Sequence, residues 1–72
     1  MSYKENAKIR ELMDLVYYAE EGRGYNPIDM IADYLATGDP SYITSNNSAR
    51  SKITRIDRGE IVVELLKVYF GK

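Results

Sequence analysis

Two Asx-Pro pairs, Asn26-Pro27 and Asp39-Pro40, bound the central segment GYNPIDMIADYLATGDPSYI. A side-chain oxygen at an N-cap accepts hydrogen bonds from free backbone N–H groups, and Pro at the first helical position has its φ already set. The two pairs therefore predict a helix that begins at Pro27 and a shorter helical turn that begins at Pro40. Gly38 can adopt the left-handed conformation that ends a helix, so helix two is expected over residues 27–37. This segment constrains the architecture and shows no chemistry.

The spacing of apolar residues predicts three further helices. Helix one is expected over about residues 5–21, from Glu5 to Glu21, with one buried face: Ile9, Leu12, Met13, Val16 and Tyr17. Helix three is expected over about residues 47–56, where a narrow apolar seam favours a surface helix: Ala49, Ile53 and Ile56. Helix four is expected over about residues 58–70, after a capping box of Asp57 and Glu60. We therefore predict an all-α, four-helix domain with an extra turn after Pro40, and 72 residues allow only this one domain, residues 1–72.

Helix two has two apolar sides. Its core face is predicted to consist of four residues: Ile28, Ile31, Ala32 and Leu35. Asp29 and Asp33 are expected to point to water. Met30 and Tyr34 are four residues apart and form an apolar ridge outside that stripe, which is a candidate contact surface.

Helix four is apolar around most of its circumference. Between Ile61 and Phe70 only Glu64 and Lys67 are polar, and with Glu60 they form one thin stripe that is expected to face water. One neighbouring surface cannot cover the remaining arc, so this helix is either central in the domain or shared between two chains, and the small size of the domain favours sharing. We therefore predict a homodimer, intertwined or packed side by side, whose interface includes Val63, Leu66, Tyr69 and Phe70.

Composition argues against catalysis. The chain has no Cys and no His, which excludes disulfides, thiolate metal sites and imidazole chemistry. Asp29, Asp33 and Asp39 are interpreted as solvated carboxylates and a cap, so no metal and no cofactor are predicted. The Gly22-Arg23-Gly24 stretch lacks the Lys and Ser/Thr of a phosphate-binding loop. We predict no catalytic residue and no enzymatic activity.

The sequence also indicates how charge is distributed along the chain and where in the cell the protein is expected. Residues 1–39 carry four basic and eight acidic side chains, whereas residues 40–72 carry six basic and three acidic ones. This division is typical of a solvated surface, and it would also suit head-to-tail association. The chain shows no leader and no apolar run near the ~20 residues that span a bilayer, so we expect a cytoplasmic protein that does not insert into membranes.

A nucleic-acid-binding alternative rests on helices two and three, which could imitate a helix-turn-helix. Four cations lie on or beside the second of these helices: Arg50, Lys52, Arg55 and Arg58. The connection over residues 38–46 is longer than the tight turn of that motif, and the cations point around the helix. Nucleic acid is therefore the less favoured partner.

The tyrosines favour protein contact. Tyr25, Tyr34 and Tyr42 lie within or beside the central segment, and amphipathic aromatic residues suit both protein interfaces and the edge of a small core. Together with Asp39 and Arg50 they form the predicted partner-binding surface. A structural role is the alternative, in which Asp39 caps a turn and Arg50 pairs with it.

The segments GYNPIDMIADYL, TGDPSYIT and ARSKITRIDRGEIVVELLKVYF resemble the IreB-type regulatory phosphoproteins over about Val16 to Phe70. The resemblance implies a small cytoplasmic helical homodimer without enzymatic activity. It also implies a regulatory or adaptor role as the substrate of a membrane-spanning Ser/Thr kinase with extracellular cell-wall-sensing repeats, in the response to envelope stress.

The chain departs from the family pattern at three places. The family's phosphorylated threonines precede the first helix, whereas the first threonine here is Thr37, so no phosphoacceptor is carried over. Ser2 is a conceivable substitute, but nothing around it argues for that role. Asp33 replaces a usual Gly, and Gly59 replaces the acidic residue expected after Arg58. We therefore expect a divergent member that keeps the dimeric body and lacks the N-terminal phosphoacceptor extension.

Overall fold

The computed structural model describes residues 7–72, which form an all-α domain as predicted. Four α-helices are joined by short connections: α1 (Ala7–Glu21), α2 (Pro27–Thr37), α3 (Ala49–Ile53) and α4 (Arg58–Phe70). Two 3₁₀ turns lie between α2 and α3: Pro40–Tyr42 and Asn46–Ser48. The predicted bounds of helices two and four are confirmed. The predicted start of helix one at Glu5 lies outside the described residues.

The caps of α2 and of the first 3₁₀ turn are those predicted from the Asx-Pro pairs. Asn26 Oδ1 accepts the N–H of Ile28 at 3.0 Å and, more weakly, that of Asp29 at 3.4 Å. Asp39 Oδ1 accepts the N–H of Ser41 at 2.9 Å. Gly38 between them has a φ of +77°, the left-handed conformation that ends α2.

Helix α1 is the centre of the domain, because it packs against α2, α3 and α4. Every helix contributes to the buried apolar core: Ile9, Val16, Ala19, Ile31, Tyr34, Ile43, Ala49, Ile53 and Ile61. Ala49 and Ile53 are fully buried, so α3 is short but is not the surface helix that its narrow seam suggested. Its seam packs against α1.

The buried face of α2 differs from the predicted one. Tyr34 is 3% exposed and belongs to the core, whereas Ile28, predicted to be buried, is 66% exposed. The buried residues Pro27, Ile31 and Tyr34 define a face turned by roughly a quarter turn from the predicted stripe. The reason is tertiary, because α2 packs both against α1 and against the 3₁₀ turn after Pro40. The predicted ridge of Met30 and Tyr34 is therefore wrong as a contact surface.

Helix α3 is shorter than predicted. Asn47 and Ser48 have φ values of +54° and +60°, so the α-helix cannot include them and begins at Ala49. At the other end, Thr54 Oγ1 donates a hydrogen bond to the carbonyl of Arg50 at 2.8 Å. Five residues span only about 7.5 Å, which is short for a recognition helix in a DNA groove. No helix in the described part of the chain is both long and apolar enough to cross a membrane.

Candidate protein-interaction surfaces

The outward face of α4 is an exposed apolar stripe, hereafter the α4 stripe. Its five members follow the i, i+3, i+4, i+7, i+8 spacing. They are Val62 (39% exposed), Leu65 (39%), Leu66 (50%), Tyr69 (80%) and Phe70 (65%). The rings of Tyr69 and Phe70 meet edge to face, with centroids 4.9 Å apart. Three of the four predicted interface residues lie on this stripe. Val63 lies beside it and is half-buried, and Val62 and Leu65 were missed although the spacing indicates them.

The inward face of α4 carries a buried charge. Glu64 is 3% exposed, and its Oε2 accepts a hydrogen bond from Arg10 Nε of α1 at 2.7 Å. Lys67 Nζ lies 3.9 Å from the other oxygen of Glu64. The prediction that Glu60, Glu64 and Lys67 form a stripe facing water is therefore wrong at Glu64. Helix α4 turns this side toward α1, where Arg10 neutralises the carboxylate.

An open apolar groove, hereafter the α1–α2 groove, lies between α1 and α2 and reaches α4 at Leu65. It has a volume of about 340 Å³. Its lining is apolar except for one carboxylate: Met13, Asp14, Tyr17, Ile28, Ile31, Ala32, Leu35 and Leu65. Ile28 is exposed because it faces this groove rather than the core.

The structure brings together only part of the predicted partner surface. Arg50 Nε donates a hydrogen bond to the carbonyl of Ile43 at 2.8 Å, and its charge acts on Asp39. Tyr42 is half-buried nearby in the same 3₁₀ turn that Asp39 caps. Tyr25 precedes α2, so a helix of 11 residues separates it from Asp39 by about 16 Å. Tyr34 is 3% exposed and belongs to the core, so it does not lie on an exposed surface with the others.

Asp39 and Arg50 are engaged in structural roles. The pKa of the Asp39 carboxyl is lowered below its usual value. The largest cause is the hydrogen bond from the backbone N–H of Ser41, followed by the hydrogen bond from the Ser41 side chain and by the charge of Arg50. These contacts hold the connection between α2 and α3. A binding role for Asp39, Tyr42 and Arg50 stays a prediction.

The described residues contain no group of three side chains of the kind that holds a metal ion. Asp29 and Asp33 are exposed on α2, as expected. What the geometry offers is two apolar surfaces, the α4 stripe and the α1–α2 groove, on a small helical body. Such surfaces serve binding to other macromolecules.

The family of this chain is identified by a match to a known protein family. The family model described as IreB regulatory phosphoprotein matches residues 1–71. The chain belongs to the IreB regulatory phosphoprotein family. The match extends further toward the N-terminus than the Val16–Phe70 region on which the resemblance was based. It supports a regulatory role and does not favour the nucleic-acid-binding alternative.

Two charged residues hold this IreB-family fold together, and sequence reasoning missed both. Glu20 is fully buried, and its Oε1 accepts the N–H of Thr44 at 2.5 Å, which ties α1 to the connection before α3. Its Oε2 has no hydrogen-bond partner among the described residues. The signal was present, because Glu20 lies four residues after Val16 and seven after Met13, on the core face of α1.

The second is Arg58, at the first position of α4. Its Nη1 donates a hydrogen bond to the carbonyl of Leu35 at 3.0 Å, so the side chain caps the C-terminal end of α2. The guanidinium lies over Gly38, where a Cβ would be only 2.8 Å from Arg58 Cζ. No local pattern indicates this contact, since Arg58 lies 20 positions after Gly38 in the chain.

Proposed function

We propose that this IreB-family protein is a non-catalytic cytoplasmic regulator that works as a homodimer and binds other proteins. We further propose that it is a substrate of a membrane Ser/Thr kinase in cell-envelope stress signalling, modified at a Ser or Thr other than the family's N-terminal threonines, since the first threonine of this sequence is Thr37. Family membership supports the regulatory role, and the resemblance supports the kinase and the stress response. The homodimer is argued from the surface of the molecule.

The observation that carries this proposal is the α4 stripe. Five adjacent apolar side chains, two of them aromatic, are 39–80% exposed on one helix face. On the opposite side of α4, Ile61 and Glu64 are buried, and Glu64 pairs with Arg10 of α1. A single small domain rarely leaves such a surface in water, and aromatic residues are enriched at interfaces. A two-fold arrangement of α4 on α4 would cover the same stripe in both copies.

Light scattering coupled to gel filtration tests the dimer. The parent chain should have twice the 8.3 kDa mass of one chain at about 100 μM, a concentration at which a micromolar dimer is largely assembled. Leu66→Glu places a charge in the middle of the α4 stripe and should yield a monomer with unchanged helicity. Ser51→Glu introduces the same charge at an exposed position of α3 and should remain dimeric. A monomeric parent chain would overturn this part of the proposal.

The kinase relationship is tested separately. The parent protein, incubated with ATP and the catalytic domain of the membrane Ser/Thr kinase from the same cell, should gain one or more phosphoryl groups by intact-mass measurement. Peptide fragmentation then locates them. If no phosphoryl group is transferred while a control substrate is modified, the chain is not a substrate of that kinase.

A further inference from the structure

The α1–α2 groove is a second apolar surface, and the proposed α4–α4 dimer does not account for it. Only Leu65 belongs both to the groove and to the α4 stripe. The floor is formed by Met13 and Tyr17 of α1 and by Ile31 of α2, and Ile28 stands 66% exposed at its edge. The groove therefore keeps an apolar lining exposed after the stripe is covered.

The rims of the groove are acidic. Asp14 belongs to the lining, and Glu21 lies seven residues further along the same side of α1. On α2, Asp29 follows Ile28 directly and Asp33 follows Ala32, so both lie on the solvent side of the lining residues. All four of these carboxylates are exposed.

Three cations of α1, α4 and the α1–α2 connection have contacts of their own. Arg10 is paired with Glu64, and Arg58 at the far end is held by the carbonyl of Leu35. Arg23, in the connection between α1 and α2, lies over the ring of Tyr25 with 4.8 Å to its centroid. Arg23 and Arg58 keep their positive charge in these contacts, so the negative character of the rims rests on the four exposed carboxylates, which outnumber them.

We propose that the α1–α2 groove binds an amphipathic helix of another protein, with apolar anchors on one face and Lys or Arg residues on both flanks. Apolar side chains at i, i+3, i+4 and i+7 fit a groove between two helices, and basic flanks complement the acidic rims. This inference names the partner chemistry of the proposed regulator and so rests on that function. A second copy of this chain is not the occupant, because its exposed apolar helix face is the one used in the α4–α4 contact.

The probe is a fluorescein-labelled 18-residue peptide of Leu and Lys with Leu at helical i, i+3, i+4, i+7 spacing. Fluorescence anisotropy should show saturable binding to the full-length protein, weaker at 300 than at 50 mM NaCl. A peptide of the same composition with scrambled spacing should bind about tenfold less tightly, because it cannot place its Leu residues on one face. Amide chemical-shift changes in the ¹⁵N-labelled protein should concentrate on α1 and α2.

Three variants locate the site. Ile28→Ser removes the exposed apolar edge and should weaken binding about fivefold or more, as expected for an apolar side chain that is half covered on binding. Asp14→Lys and Glu11→Lys make the same charge change one turn apart on α1, but only Asp14 faces the groove. Asp14→Lys should weaken binding about threefold or more, and Glu11→Lys less than twofold.

Several results would overturn the inference. Equal losses for Asp14→Lys and Glu11→Lys, or equal binding of the scrambled peptide, would show non-specific attraction between a cationic peptide and an acidic protein. A change in molar mass for Ile28→Ser would show that the groove is a contact between copies of this chain. The proposed dimer is tested independently of the groove. A monomeric parent chain would overturn the dimer, and the peptide-binding result would still be valid.

Discussion

Replacing Gly38 by Ala should destabilise the domain through two separable effects. Gly38 has a φ of +77°, which costs an L-residue with a Cβ about 1 kcal/mol. The new Cβ would also lie 2.8 Å from Arg58 Cζ and 3.0 Å from both terminal nitrogens of that guanidinium. Arg58 must then move and lose its hydrogen bond to the carbonyl of Leu35. Because that bond is exposed, its loss costs about 1 kcal/mol.

Gly24 is a matched control. It has nearly the same φ, +80°, but nothing lies within 4 Å of the position where a Cβ would be. Gly24→Ala should therefore cost about 1 kcal/mol, and Gly38→Ala about 2 kcal/mol. The gain from restricting the unfolded chain is the same in both variants and cancels in the comparison. In an Arg58→Ala background, Gly38→Ala should also cost only about 1 kcal/mol, so the coupling in the double-mutant cycle is about 1 kcal/mol.

Urea denaturation followed by circular dichroism at 222 nm measures these free energies. All variants must be compared at one protein concentration, since association adds to the apparent stability. In a domain of this size the extra 1 kcal/mol corresponds to a further drop in Tm of about 4–8 °C for Gly38→Ala. Equal losses for Gly24→Ala and Gly38→Ala would refute the argument, because they would show that Arg58 does not constrain this position.

Two further predictions concern carboxylates. Glu20→Ala should lower the free energy of unfolding by about 2–4 kcal/mol, because the buried N–H of Thr44 loses its acceptor and a cavity opens. Glu20→Gln keeps an acceptor oxygen and should lose much less; equal losses in chemical denaturation would contradict the hydrogen-bond role. The lowered pKa of Asp39 means that its contribution to stability is present at neutral pH and is lost as the pH falls through its folded value. Asp39→Asn retains a capping side chain, so the difference between the urea midpoints of the parent and this variant should begin to shrink as the pH falls below the ordinary Asp pKa of about 3.9 and should vanish only below the lowered pKa of the folded state; a difference that is constant down to pH 3 would disprove the assignment.

Local sequence signals predicted the helix boundaries well wherever a cap operates within a few residues. The Asn26-Pro27 and Asp39-Pro40 pairs placed the starts of α2 and of the first 3₁₀ turn, and Gly38 placed the end of α2. These signals work because an N-cap oxygen and the backbone groups it satisfies are neighbours in the chain. The late start of α3 was not predicted, because the left-handed conformation of Asn47 and Ser48 depends on the surrounding fold and their identities alone do not exclude a helix.

The candidate surfaces were also predicted only in part from the sequence. The i, i+3, i+4 pattern of α4 indicated an excess of apolar surface and three residues of the α4 stripe. It did not show which side faces α1, so Glu64 was assigned to water. The α1–α2 groove was not predicted at all, because it exists only where α1, α2 and α4 meet.

The sequence by itself determined the all-α class, the caps, the family and an α4 too apolar for one neighbour, since each depends on residues close together in the chain. Only the tertiary structure decided which faces are buried. The 3₁₀ turn after Pro40 packs against α2, Tyr34 is buried while Ile28 is exposed, and Arg10 gives the buried Glu64 a partner from the other end of the chain. Periodicity defines an apolar arc on a helix, but the direction in which that arc points is set by what packs against it.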